Sequence, residues 1–279
     1  MIGRTVLDEA VASAIENPPE QAVRWRAVLL AGDRPGGDSL ARQFSVSSKS
    51  LVPVAGKPML AHVLETLLAY PRIGEVLVLA QHPEVLFDHP ALIRHSLDPR
   101  VRLVRSGGRI STSLMAVLRN SDWPVLVTTA DHVLLDAAML DWFLDHSGHC
   151  DAAVGIAERT VAAAEALDGN RTWLHFRDVD VTGANLFAFN GPRIFAGLAY
   201  WKRLEAHRKK PWRMAWELGP WLLLRMMFRR LSLDEGFAAL SRKLGLTVHA
   251  VRIPYARAGV DVDKYADHVL VEGLLTRQV

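Results

Sequence analysis

The sequence has one cysteine and no long apolar run. Cys150 stands alone among 279 residues, which excludes an intrachain disulfide and suits a reducing compartment. No apolar segment approaches the roughly 18–20 residues that a membrane-spanning helix needs. The N-terminus carries Asp8 and Glu9 where a signal peptide would have its apolar stretch. We therefore expect a cytoplasmic protein.

The chain also lacks a large excess of charge of one sign. It has 33 basic and 30 acidic residues, a balance that argues against nucleic-acid binding even though the pI is near 9.2. Hydrophobic residues make up 50% of the chain, so extended disorder is not expected. The length fits one large domain with room for an insertion.

Short runs rich in valine and leucine alternate with helical patterns. Such runs are typical of strands that are buried on both faces of a parallel sheet. The predicted strands are 27–31, 75–80, 101–104, 124–130, 151–157, 172–177, 184–189 and 247–253, and the predicted helices include 58–70, three within 192–245, and 264–276. The alternation predicts a Rossmann-like, doubly wound α/β fold with a mixed sheet. We expect an N-terminal extension over 1–24 and a domain over 25–279, with a helical insertion at about 191–245 before the last strand.

A glycine-rich, basic loop follows the first predicted strand. Residues 32–40 read GDRPGGDSL, and the glycines would let bare backbone N–H groups approach an anion. Arg34 in the loop and Lys49 beyond it could offset the charge of a triphosphate. By composition alone, an ordinary exposed loop explains this stretch equally well.

Two acidic segments are candidates for a metal site, and the first falls where the ligand edge of the sheet is expected. Asp131 follows the strand 124–130 and could reach Mg²⁺, or it could cap the next helical turn. Asp261 and Asp263 would point to the same side of an extended segment and so could approach one cation. The alternative for this second segment is a helix start with favourable acids, Asp267 among them.

Two stretches carry a resemblance to a known superfamily. LAGDRPGGDSLAR (30–42) and SKSLVPVAGKPMLAHVLETL (48–67) resemble the N-terminal signature of the nucleotidyltransferase superfamily of sugar-phosphate pyrophosphorylases and molybdenum-cofactor guanylyltransferase-like enzymes. The chain departs from that signature at Asp33 and Arg34, which replace glycines, and this leaves open whether Arg34 or Arg42 is the family arginine. The resemblance implies the nucleotide-diphospho-sugar transferase type of fold and Mg²⁺-dependent transfer from an NTP, with release of pyrophosphate. The acceptor would be a phosphorylated sugar, polyol or amino-alcohol.

The resemblance also assigns residues to roles. Arg34, Lys49 and Asp131 would be catalytic, and Asp131 and Asp263 would bind the metal, with Asp261 as the alternative to Asp263. The nucleotide-binding residues would be Ala31, Gly32, Asp33, Arg34, Lys49, Gly107, Gly108, Arg109, Ser113, Asp131 and His132. Gly183 and Asn185 would contact the acceptor. The segment 106–118 resembles the cytidylyltransferase branch and so favours CTP, although Ser113 could equally be a helix cap.

Other functions fit single features. Asp261-Val262-Asp263 has the form found in metal-dependent glycosyltransferases that use nucleotide sugars, and the altered loop at Asp33 would suit a regulator that binds a nucleotide without turnover. The basic, aromatic segment 209–230 predicts peripheral contact with the inner face of an anionic membrane, or packing against the core or a second copy in a homodimer.

Overall fold

An eight-stranded mixed sheet forms the centre of the computed structural model, which describes residues 24–33, 36–107, 110–169, 171–207 and 219–277. The strand order is β10-β7-β9-β6-β1-β4-β5, with β8 paired to β9, and β2 and β3 form a separate hairpin. The strands are β1 Trp25–Leu30, β2 Pro53–Val54, β3 Lys57–Pro58, β4 Ile73–Ala80, β5 Val101–Arg105, β6 Val125–Thr129, β7 Ala152–Glu158, β8 Leu174–His175, β9 Asp180–Phe189 and β10 Val248–Arg252. The predicted N-terminal extension lies outside the described residues, apart from Arg24.

Helices cover both faces of this sheet. They are α1 Ser39–Gln43, α2 Met59–Ala69, α3 Pro83–Phe87, α4 Pro90–Ile93, α5 Ile110–Leu118, α6 Ala137–Asp145, α7 Arg159–Ala164, α8 Ile194–His207, α9 Pro220–Met227, α10 Leu233–Leu244 and α11 Tyr265–Thr276.

The central strand β1 shows why the fold is doubly wound. It pairs in parallel with β4 on one side and β6 on the other. Ala27 and Leu29 enter the larger hydrophobic cluster, while Val28 enters the cluster on the opposite face. Because successive side chains of a strand point to opposite faces, a run of apolar residues needs cover on both sides. The predicted α/β fold is confirmed.

The strand β9 makes the sheet mixed. It runs antiparallel to both β6 and β7, and its pairing with β7 is irregular between Val154 and Ile156. Asn185 lies opposite this irregularity with φ of 49°, in the left-handed region, as expected for a bulge that redirects a side chain. The strand predicted over 172–177 is wrong in extent: only Leu174 and His175 pair with β9, because the chain turns at Phe176, whose N–H donates to the carbonyl of Val179.

Among the described residues between β9 and β10 there are three helices, α8 to α10, where the sequence predicts a helical insertion. The helix α10 begins with a capping box formed by Ser232 and Glu235, and it ends at Gly245, whose φ of 67° suits a residue without a side chain. Residues 208–218 lie outside the described part of the chain. Within the described residues, no helix is long and apolar enough to cross a membrane.

Three chain segments meet at the carboxyl edge of the sheet. The strands β1 and β6 are parallel neighbours, so Ala31 and Asp131 leave the sheet side by side. The loop that follows β10 joins them, because the backbone N–H of Val262 donates to the carbonyl of Asp131 at 3.1 Å. This is the edge at which open α/β sheets bind ligands.

Candidate active site

The ammonium group of Lys49 lies between two carboxylates at this edge. Its Nζ is 2.6 Å from Oδ2 of Asp131 and 2.5 Å from Oδ1 of Asp263. The Lys49 side chain is 14% exposed. Burial opposes its charge, but the two ion pairs outweigh burial and raise the pKa of Lys49 above its usual value. Lys49 is therefore a charged, partly buried group held between two acids.

Local hydrogen bonds tie Lys49 to the first loop. Ser48 caps a short 3₁₀ turn over Lys49–Leu51, and its side chain accepts from the N–H of Ser50. The Ser50 hydroxyl donates to the carbonyl of Ala31 at 3.1 Å, and the Asp33 carboxylate accepts from the N–H of Lys49 at 2.9 Å. Asp33, which replaces a glycine of the family signature, thus holds the backbone of the lysine.

Gln81 also belongs to this loop, and the sequence carries no local signal that identifies it. Its side-chain amide accepts from the N–H of Asp33 and donates to the carbonyl of the same residue, each at 2.9 Å. A Cβ atom on Gly32 would come within 3.1 Å of this amide, so the close approach favours glycine there.

Three carboxylates converge on one point beside Lys49. Asp131, Asp261 and Asp263 each offer an oxygen, and these oxygens lie within 4.8 Å of one another. Oδ2 of Asp131 contacts Lys49, and its Oδ1 accepts from Thr129 Oγ1 at 2.5 Å. Carboxylate oxygens are the ligands that Mg²⁺ prefers in proteins. The residues present therefore fit a divalent cation of this kind.

Asp261 has different partners from the other two acids. Its carboxylate forms an ion pair with Nη1 of Arg171, and Asn185 Nδ2 lies 3.4 Å from its second oxygen. Burial raises the pKa of Asp261, as do the neighbouring charges of Asp131 and Asp263, while Arg171 acts in the opposite direction. The sequence carried no motif around Arg171, so its position became visible only in the fold.

The structure assigns the helix-capping roles to other acids. Asp136, not Asp131, caps α6 by accepting from the N–H of Met139 at 2.9 Å. At α11 the Asp267 carboxylate accepts from the N–H groups of Asp263 and Lys264. The carboxylates of Asp131 and Asp263 are directed instead at Lys49.

His132 follows Asp131 but lies in the interior. Its side chain is 1% exposed, and among the described residues neither ring nitrogen has a hydrogen-bond partner. Burial is the main cause that lowers the pKa of His132 to about 4, with Asp131 opposing the shift and Arg171 adding to it. The ring is therefore neutral near pH 7, and its contact with a nucleotide stays a prediction.

Some of the remaining predicted site residues have local partners in the structure, and others lie outside the described ranges. Ser113 Oγ accepts from the N–H of Gly107 at 2.9 Å, and both residues line a cavity of about 460 Å³ beside α5. Gly183 is exposed on β9 with open space where a Cβ would stand. Arg42 donates to the carbonyl of Gly36 at 3.3 Å. Arg34, Gly108 and Arg109 lie outside the part of the chain that the structure describes.

Comparison with known proteins gives similarities over much of this chain. A 2-C-methyl-D-erythritol 4-phosphate cytidylyltransferase from Laribacter hongkongensis is 33% identical over 126 residues, which are 43% of this chain and 52% of the relative. The chain thus spans about half the length of the curated relatives it matches. Among solved structures, a hypothetical transferase from Thermus thermophilus is 29% identical with a TM-score of 0.74, over 88% of this chain and 99% of the other.

A second solved structure shows the same fold at lower identity. It is a 4-diphosphocytidyl-2C-methyl-D-erythritol synthase from Anaerococcus prevotii, 13% identical with a TM-score of 0.56, covering 91% of this chain and 97% of the other. The family model of the MobA-like NTP transferase domain matches residues 27–210. That range contains most of β1, the first loop, Lys49 and Asp131. The chain therefore belongs to the MobA-like NTP transferase family.

Proposed function

We propose that this protein is a Mg²⁺-dependent nucleotidyltransferase that joins CTP to a phosphorylated polyol or related small molecule and releases pyrophosphate. One observation carries the proposal. Lys49 stands 2.6 Å from Asp131 and 2.5 Å from Asp263, at the end of a loop suited to phosphates. Cation and carboxylates thus meet at the edge where the fold binds ligands.

The reaction is a substitution at the α-phosphorus of the NTP. A phosphate oxygen of the acceptor attacks that phosphorus and forms one P–O bond, while the bond to the leaving pyrophosphate breaks and pyrophosphate keeps the electron pair. A phosphate monoester has its second pKa at about 6, so it is largely ionised near neutrality and needs no strong base. Alignment and charge neutralisation are what the site must supply.

The residues divide this work. Asp131 and Asp263 would hold Mg²⁺, which when bound neutralises charge on the triphosphate oxygens. Lys49 supplies positive charge at the same place, with its backbone fixed by Asp33. The backbone of Ala31, Gly32 and Asp33 faces the triphosphate in this proposal, and Gly183 and Asn185 face the acceptor.

The choice of CTP rests on similarity. The segment 106–118 resembles the cytidylyltransferase branch, and the curated relatives carry the name 2-C-methyl-D-erythritol 4-phosphate cytidylyltransferase. That polyol phosphate is therefore the first acceptor to test. A sugar phosphate and an amino-alcohol phosphate are the next.

Location and assembly stay predictions. Of the segment 209–230, only the part from Gly219 onward is described, and there Trp221, Met227 and Phe228 are 71%, 69% and 61% exposed. Such side chains, beside several arginines, suit contact with an anionic membrane face. Co-sedimentation with anionic vesicles tests that contact, and sedimentation equilibrium tests the homodimer.

A matrix of the four common nucleoside triphosphates against phosphorylated polyols, sugars and amino-alcohols tests the function. We expect pyrophosphate release with CTP, with Mg²⁺ present, and with a polyol phosphate as acceptor. Release of a free nucleoside diphosphate from a nucleotide sugar would instead identify a glycosyltransferase. Binding of NTP without turnover across the whole panel would identify a regulator, and either result would overturn the proposal.

A further inference from the structure

Asp261 differs from Asp131 and Asp263 in the side chains that bind its carboxylate. One carboxylate oxygen is paired with Arg171 and the other lies 3.4 Å from the amide of Asn185. A second guanidinium nitrogen of Arg171 donates to the backbone carbonyl of Asp261 at 3.3 Å and lies 3.7 Å from Asp267. Both oxygens of this carboxylate are therefore engaged by side chains of the protein.

Asp131 and Asp263 are held differently. They share the ammonium of Lys49, a compact charge with three donors on a flexible side chain. The second oxygen of Asp131 accepts in addition from the neutral hydroxyl of Thr129. Arg171 has a planar guanidinium on a side chain that is 7% exposed, and more than one contact fixes that group. A cation can displace the ammonium from its two acids far more readily than it can displace this guanidinium.

We propose that Arg171 is a positioning residue that withholds Asp261 from the cation, so that Asp131 and Asp263 alone form the binding pair. The bulge in β9 supports this arrangement. Asn185 has a left-handed backbone at the bulge, and its side-chain amide contacts Asp261. The role in turnover rests on the proposed nucleotidyltransferase function. The assignment of Asp131 and Asp263, and not Asp261, to the cation does not depend on that function.

The proposal makes a prediction opposite to that of a purely structural arginine. The variant R171M removes the positive charge of Arg171 while keeping its bulk. The Asp261 carboxylate is then released beside those of Asp131 and Asp263. The cluster becomes more negative and gains a ligand, so a divalent cation binds more tightly, by about 3- to 10-fold for one charge at a partly buried site. An arginine that merely supports the fold would give weaker binding or none.

A double-mutant cycle on nucleotide-free protein tests this, with Mn²⁺ binding followed by electron paramagnetic resonance. The variants are R171M, D261N, the double variant R171M/D261N, and D263N. We expect tighter binding in R171M and affinity within about threefold of wild type in the double variant, where neither charge remains. D263N should bind more weakly by about 10-fold or more, because it removes a direct ligand.

Two results overturn the proposal. One is a double variant that binds Mn²⁺ as weakly as D263N, since Asp261 would then be a ligand. The other is R171M with unchanged or weaker affinity while its circular dichroism and melting match wild type. If R171M does not fold, the double variant decides, because it removes the charge of Asp261 together with that of Arg171.

The cycle is independent of turnover, so the two proposals fail separately. Wild-type protein that never releases pyrophosphate ends the proposed function, yet the order of Mn²⁺ affinities still decides the role of Arg171. If turnover is found, R171K adds a second readout. It keeps the charge but replaces the guanidinium by an ammonium that a cation displaces more readily, so Mn²⁺ should bind more tightly than to wild type but less tightly than to R171M, while kcat falls more than KM changes.

Discussion

The side-chain amide of Gln81 and the backbone of Asp33 bind each other through two hydrogen bonds, each 2.9 Å long. Gln81 directly follows β4, and Asp33 lies in the loop after β1. The pair fixes the loop to the neighbouring strand end. Asp33 in turn accepts from the N–H of Lys49. The position of Lys49 therefore depends on Gln81, a residue that follows a different strand.

We therefore expect Q81A to weaken nucleotide binding. The loop loses two hydrogen bonds, and KM for the NTP should rise by about 10-fold, which corresponds to about 1.4 kcal/mol. Initial-rate kinetics measure the change. The matched control is H82A, since the neighbouring His82 is exposed; equal effects of the two variants would contradict the role of Gln81.

Asp131→Asn should lower turnover by about 10²–10³, the usual cost of removing one preorganised charge-stabilising group. The measurement is pyrophosphate release under saturating substrates. Asp136→Asn is the matched control, because Asp136 caps α6 and asparagine caps helices nearly as well. Wild-type-like turnover in Asp131→Asn would remove Asp131 from the metal site.

Lys49→Met should separate catalysis from cation binding. The variant loses the positive charge offered to the triphosphate, so kcat should fall by about 10²–10³. It also empties the place between Asp131 and Asp263, so free Mn²⁺ should bind at least about threefold more tightly without nucleotide. Titration calorimetry measures the affinity, and a loss of Mn²⁺ binding would show that Lys49 supports the acids instead of competing with the cation.

The pH dependence of stability should include a contribution from His62 on α2. Burial is the main cause that lowers the pKa of His62 below its ordinary 6.5, while the hydrogen bond to the carbonyl of Val54 acts against the shift. Below pH 6.5 the unfolded chain takes up a proton that the folded protein resists. The contribution of His62 to the free energy of unfolding is therefore fully present above pH 6.5 and is lost as the pH falls below that value.

The test compares melting temperatures at about pH 7.5 and about pH 5.5. Between these values, wild type should lose more stability than H62Q, which cannot take up the proton but can still donate a hydrogen bond. The exposed His82 offers the control variant H82Q, which should lose as much stability as wild type. If H62Q and wild type lose stability equally, His62 does not contribute.

Much of the fold could be predicted from the sequence because burial leaves a local pattern. The apolar runs at β1, β4 and β6 need cover on both faces, and this requirement alone indicates a doubly wound sheet. The end of each strand then locates Ala31 and Asp131 at the ligand edge. The extent of β8 was mispredicted because the apolar alternation continues to Phe176, which is buried but lies in the turn that ends the strand.

The sequence by itself therefore determined the type of fold, the edge that carries the site, and the family to which the chain belongs. Only the tertiary structure decided how the charges pair. Lys49 meets Asp131 and Asp263 across 82 and 214 positions of the chain, and Arg171 meets Asp261 across 90. A periodic pattern reports which face of an element is buried. Which charges meet across such separations depends on how the sheet and its loops pack, and no local pattern encodes that.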